Sequence, residues 1–175
     1  TIPFIRKFAP FGYSVVRGVG AQLFKVKDID AGMMICFEDT YSWVARESVN
    51  AGARLLISHS NDMWFDYDTE KLQHHANAVF RAIETRTPLI RVSNEGYMGV
   101  VHPTGKTERL YAPSETIMRE YVIASPPKMS RNLYLIFGDW ILAIPAAIFV
   151  VCFFGYVCYE RYQTKKREHI EKVGA

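Results

Sequence analysis

The stretch MMICFEDTYSWVARESVNAGARLLIS (33–58) decides the fold. It opens on a short apolar run, MMICFE (33–38), bounded by Gly32 and Asp39, which reads as a buried strand. Helix-forming residues follow Thr40, with Trp43, Val44, Ala45 and Val49 on one side, and Gly52 stops them. RLLIS (54–58) is the next strand. Working outward, SNDMWFDYD (60–68) reads as a loop. Glu70 to Arg86 is helical, with Leu72, Ala76, Val79, Ala82 and Ile83 spaced for one buried face, and Pro88 ends it. PLIRVS (88–93) and YMGVVH (97–102) flank an Asn-Glu-Gly turn, Pro103–Lys106 makes a second turn before another short strand, and REYVIA (119–124) reads as a last strand. Strand, helix, strand, helix and then antiparallel hairpins predict an α/β domain with a mixed sheet.

Past that domain the composition changes. The chain has 175 residues, 49% hydrophobic and 22% charged, with a net charge of +3, too small to imply a nucleic-acid partner. No charged side chain occurs from Trp140 to Tyr159. Twenty helical residues reach about 30 Å, the thickness of a bilayer core. Five Lys/Arg follow at once (Arg161, Lys165, Lys166, Arg167, Lys172) against three acids. By the positive-inside rule this tail is cytoplasmic and everything before Trp140 lies outside. The expected organisation is a partial α/β domain at 1–128, a linker at 129–139, a transmembrane helix at 140–159 and a basic tail at 160–175. The opening TIPFIRKFAPFG and the missing initiator Met lead us to expect a piece of a longer chain.

Three cysteines argue against a disulfide framework. Cys152 and Cys158 fall inside the apolar run, so only Cys36 can serve a water-facing site. A thiol at the end of a strand is where α/β folds place reactive groups, although a small buried hydrophobe is an equally ordinary role for cysteine. Glu38, two positions on, faces the same side as Cys36 if the strand continues. His74 and His75 are adjacent on a helix and make a poor metal pair. Arg81 and Glu84 read as a surface ion pair. A Cys36–His75–Asn94 triad has the chain order of papain-like proteases without their local signature.

Several segments taken together carry a family likeness. ICFED (35–39), GARLLISHSNDMWF (52–65), QHHANAVFRAIETRTPLIRVSNEGYMGVV (73–101) and PTGK (103–106) resemble the carbon–nitrogen hydrolase (nitrilase) superfamily. They are most similar to the bacterial apolipoprotein N-acyltransferases. The ordered set SND-x-WF, Q-H-x-x-x-A-x-x-R-A-I-E and R-x-x-N-x-G carries the likeness, and LYLIFGDW (133–140) leading into a final apolar helix matches that family's ending.

The resemblance implies an αββα sandwich with a Glu–Lys–Cys triad. It makes Cys36 the thioester-forming nucleophile and Glu38 the acid used near the site. It puts the catalytic lysine ahead of Pro10-Phe11-Gly12, where Lys7 is the lysine available, two positions out of register. Phe37 stands where the family usually has Tyr, and the triad Glu has no counterpart in the chain. The implied reaction moves an acyl chain from a phospholipid donor to the N-terminal amine of an apolipoprotein acceptor, at the outer face of a bacterial inner membrane. No cofactor and no metal are expected. Two other readings use the same residues: a membrane-tethered amidase in which water takes the thioester, and an inactive fragment needing a partner.

Overall fold

The computed structural model describes residues 18–113 and 132–173. One six-stranded sheet runs in sequence order: β1 (Leu23–Val26), β2 (Ile29–Ile35), β3 (Leu55–Asn61), β4 (Leu89–Asn94), β5 (Met98–Val101) and β6 (Thr107–Tyr111). β2, β3 and β4 are parallel; β1, β5 and β6 join antiparallel. Parallel neighbours need a crossover, and the helices α1 (Ser42–Asn50) and α2 (Asp68–Thr85) provide the two. This is the mixed α/β sheet that the alternation of strand and helix signals predicts.

Side chains alternate between faces along each strand. Met34, Leu56 and Leu89 point under the helices and form the core with Ala45, Val49, Ala78, Ala82 and Val101. Burying each leucine contributes about 2 kcal/mol. On the opposite face the register aligns Met33 with Ile57 and Ile90, then Ile35 with His59 and Val92. Met33, Ile35 and Val92 are exposed there. MMICFE is therefore a half-buried strand, and it ends at Ile35 rather than running through Cys36.

The buried face of α2 also differs from the expected one. His74, His75, Ala78, Arg81, Ala82 and Thr85 face inward, while Leu72 is exposed. The spacing is helical, but the buried stripe is largely polar because it meets a charged cluster described below.

Of the segment read as a linker (129–139), residues 132–139 are described. Leu133–Phe137 forms a short helix, α3, whose Leu135 is 3% exposed and belongs to the core. Asn132 caps it by accepting from Leu135 N at 2.8 Å. Gly138 then adopts φ 58°, ψ −143°, a region that only glycine visits readily. A Cβ there would come within 2.8 Å of Arg46 Cζ. A 3-10 turn (Gly138–Leu142) leads into α4 (Ala143–Val173), 31 residues or about 46 Å long. Pro145 falls in its first turn, where a missing N–H costs nothing. Among the described residues, Leu133–Thr164 is the stretch of helix long and apolar enough to cross a membrane, and Ile144, Phe149, Val151 and Phe154 are exposed on it. REYVIA (119–124) and Lys7 lie outside the described residues.

Candidate active site

The three parallel strands end at the same edge of the sheet, and the loops after them carry Cys36, Asp62 and Asn94–Gly96. Carboxyl ends of parallel strands are where α/β folds build sites. β2 stops because Cys36 takes φ 54°, the left-handed region, and a 3-10 turn (Cys36–Thr40) begins there. A non-glycine residue in that conformation costs roughly 1–2 kcal/mol. The sharp reversal lifts the half-buried thiol off the end of the strand.

Glu38 does not follow Cys36 along a strand. Its exposed side chain folds back, and Oε2 accepts from Ile35 N at 2.8 Å, tying the last strand residue to the turn. Thr40 Oγ1 donates to Phe37 O at 2.7 Å across the same turn. Phe37 is exposed and meets Tyr41 edge-on, with ring centroids 5.9 Å apart. A cleft of about 660 Å³ lies beside the turn, walled by Phe24, Met33, Ile35, Trp43 and Val44 and rimmed by Glu38 and Glu47. Cys36 is outside its lining, so the cleft flanks the thiol rather than holding it.

The turn is held from beneath by buried charges. Asp39, next to Glu38, is fully buried and accepts from Ser58 Oγ at 2.8 Å and from Arg91 Nη1. Arg91 Nη2 donates to Asp62 Oδ2 at 2.9 Å. His74 closes the ring, with Nδ1 2.9 Å from Asp62 Oδ1 and Nε2 3.0 Å from Asp39 Oδ1. Ser60 Oγ donates to Asp62 Oδ1 at 2.6 Å. Two carboxylates, a guanidinium and an imidazolium balance each other, which is how charge is tolerated without water. Gly96 belongs to this packing, since a Cβ there would run into the Asp62 carboxylate and Ser93 Oγ.

Burial works against a charge on His74, but its carboxylate partners Asp39 and Asp62 raise its pKa to about 9. Burial likewise favours a neutral Asp62. The hydrogen bonds from His74 and Ser60, with the Arg91 charge, overcome it and hold that carboxyl well below the usual carboxylate range. His75 is pushed down to about 4 by burial first and then by the Arg91 charge.

A second arginine grips the backbone of the turn. Arg81 Nη1 donates to Asp39 O at 3.2 Å and to Thr40 O at 3.1 Å, while Nη2 pairs with Glu84 Oε1 at 2.9 Å. The Arg81–Glu84 pair is thus an inward-facing clamp, with Arg81 7% exposed, rather than a surface ion pair. His75 turns to Thr107, with Nε2 3.4 Å from its Oγ1, and Asn94 Nδ2 donates to Asn61 Oδ1 at 3.3 Å. Both side chains are engaged away from a papain-like arrangement. Cys152 and Cys158 are exposed on α4. The cluster of Asp39, Asp62 and Arg91 is not read from the sequence, although Asp62, His74, Arg81, Glu84, Arg91 and Gly96 are fixed positions of the three quoted motifs and Asp39 ends ICFED.

The carbon-nitrogen hydrolase family model matches residues 5–121. The apolipoprotein N-acyltransferase of Gloeobacter violaceus is 33% identical over 146 residues, covering 83% of this chain and 27% of the relative. Apolipoprotein N-acyltransferase 2 of Treponema pallidum is 32% identical over 146 residues, covering 81% and 26%. The chain therefore spans about a quarter of the length of these curated relatives. A solved amidase from Nesterenkonia sp. superposes with a TM-score of 0.49 at 15% identity, over 57% of this chain and 40% of that one.

Proposed function

Because the chain belongs to the carbon–nitrogen hydrolase family, we propose that it carries the nucleophile of a membrane-held acyltransferase that N-acylates lipoproteins. The observation that carries this reading is the left-handed Cys36, raised at the end of β2 on a turn fixed by buried charges. The thiol sulfur attacks the ester carbonyl of a phospholipid donor. A thioester forms, and the lysophospholipid alcohol leaves with the thiol's proton. The α-amine of the acceptor lipoprotein then attacks the thioester, the amide forms, and the amine's proton returns to sulfur. Splitting a hard transfer into two easier steps is the purpose of such an intermediate.

Lys7 is the lysine we assign to this chemistry. An ammonium beside the thiol would favour thiolate and stabilise the oxyanion. Glu38 contributes by fixing the turn through Ile35 N. α4 supports the acyltransferase over the amidase reading, because donor and acceptor are both lipids and a membrane-held site shortens their search to two dimensions. The names of the relatives in Gloeobacter and Treponema agree with it. In this reading α4 spans the inner membrane with Lys165–Lys172 in the cytoplasm and Cys36 outside.

The intact protein, reconstituted in phospholipid vesicles with a diacylglyceryl-peptide acceptor, should convert the peptide's free amine to an amide. Release of free fatty acid with no amide would instead make it a hydrolase.

A further inference from the structure

Only a few side chains separate the nucleophile turn from the apolar helix. Asn132 Nδ2 donates to Glu84 O at 2.8 Å. The same residue's Arg81 partner grips Asp39 O and Thr40 O, three and four positions beyond Cys36. On the other side Asn50 Nδ2 donates to Leu135 O at 3.1 Å, Leu135 sits in the core, and the Arg46 guanidinium packs against Gly138. Thus α1, α2 and the core all hold Asn132–Gly138, and α4 leaves from that segment through a single glycine joint.

We propose that Asn132–Gly138 is a bracket that sets Cys36 at a fixed height relative to the start of the apolar helix, with Asn132 and Arg81 as its positioning residues. The inference rests on the acyltransferase reading and adds how that site meets a donor it cannot pull far from the bilayer. A thiol fixed in space reacts with an ester carbonyl only when that carbonyl reaches attack distance, and a misplacement of about 1 Å can cost a hundredfold in rate. A free-swinging domain would search for that geometry, whereas a bracketed one presents it on every encounter.

Asn132 does two separable jobs. Its Oδ1 caps α3, and its Nδ2 bridges to α2. Asn132→Asp keeps an acceptor for the cap and loses the donor to Glu84 O; Asn132→Ala loses both. The test compares these variants with the unaltered protein in vesicles of phosphatidylethanolamine and phosphatidylglycerol. It measures acyl-Cys36 formation from the bilayer lipid, alkylation of Cys36 by iodoacetamide in water, and the melting temperature.

The bracket predicts that both variants slow acylation from the bilayer roughly tenfold. Alkylation should stay within about twofold, because the turn itself remains held by Arg81 and Arg91. Acylation at the unaltered rate by Asn132→Asp would overturn the proposal, leaving Asn132 as a helix cap. Equal slowing of acylation and alkylation, with a lowered melting temperature, would also overturn it, in favour of general loosening. If the unaltered protein forms no acyl-Cys36 while iodoacetamide still labels it, the acyltransferase reading fails and takes the bracket's purpose with it.

Discussion

Arg91 and Val92 are neighbours on β4, yet the arginine is 1% exposed and the valine 45%. The same inversion holds at the ends of the parallel strands. On the helix-covered face the strand ends carry Ser58, Ser60, Arg91 and Ser93, all buried, with Asp39, Asp62 and His74 closed over them. On the other face Met33, Ile35 and Val92 look outward. Covered charge beside uncovered hydrocarbon is the reverse of what burial energetics alone would choose. The covered face near the strand ends is organised to hold the Cys36 turn, and it keeps charge because a closed ring of ion pairs supports a strained turn. The outward face keeps the apolar residues that parallel strands normally bury under a second layer.

Breaking the ring should have the largest effect. Arg91→Met leaves Asp39 and Asp62 facing each other with His74 as their remaining cationic partner in the ring. Removing one partner of a buried ion pair costs about 3–5 kcal/mol. Denaturant unfolding should show that loss, and a change below about 1 kcal/mol would mean the ring is not closed as described.

The ring also sets a pH window. His74 is raised to about 9, above its ordinary 6.5, so its stabilisation is complete below pH 6.5 and disappears as pH climbs through 9. His75 is lowered to about 4, so acid is unfavourable: below pH 6.5 the unfolded chain takes up a proton that the folded chain refuses until pH 4. Stability should therefore peak near pH 6.5, falling on the alkaline side through His74 and on the acid side through His75. Melting temperature against pH measures this. His74→Gln should flatten the alkaline limb.

The turn itself gives a smaller, cleaner signal. Glycine tolerates φ 54° and alanine does not, so Cys36→Gly should be about 1 kcal/mol more stable than Cys36→Ala. Equal stability would mean the turn carries no strain. The smallest effect belongs to the uncovered face. Val92→Ser should cost less than about 1 kcal/mol, since a fully buried valine is worth about 1.5–3. A loss of 2 kcal/mol or more would show another layer seated on that face.

Periodicity suffices for the parallel strands and crossover helices, because Met34, Leu56, Leu89 and Val49 obey the ordinary rule that apolar residues face inward, whereas β1 (Leu23–Val26) has no counterpart in the sequence reading. It failed on α2, where Leu72 was expected inside and is exposed while His74 and Arg81 are buried. A hydrophobic pattern has no means of announcing a polar cluster whose partners come from other strands. The place of Cys36 at a strand end is legible in the sequence, but its left-handed φ is not, since the turn is held by contacts such as those of Glu38, Asp39 and Arg81 that folding brings together. The 129–139 segment looked like a linker because Pro126-Pro127 precedes it. The docking of residues 132–138 depends on Asn50, Glu84 and Arg46, far away in sequence.

In the proposed acyl transfer Cys36, alone among the three cysteines, takes the acyl chain. The most direct measurement incubates the intact protein with acyl-labelled phospholipid vesicles and maps the hydroxylamine-sensitive label by peptide mass spectrometry. Label is expected on the peptide containing Cys36, retained in Cys152→Ala and Cys158→Ala and lost in Cys36→Ala. Label on Cys152 or Cys158, or label that persists in Cys36→Ala, would contradict it.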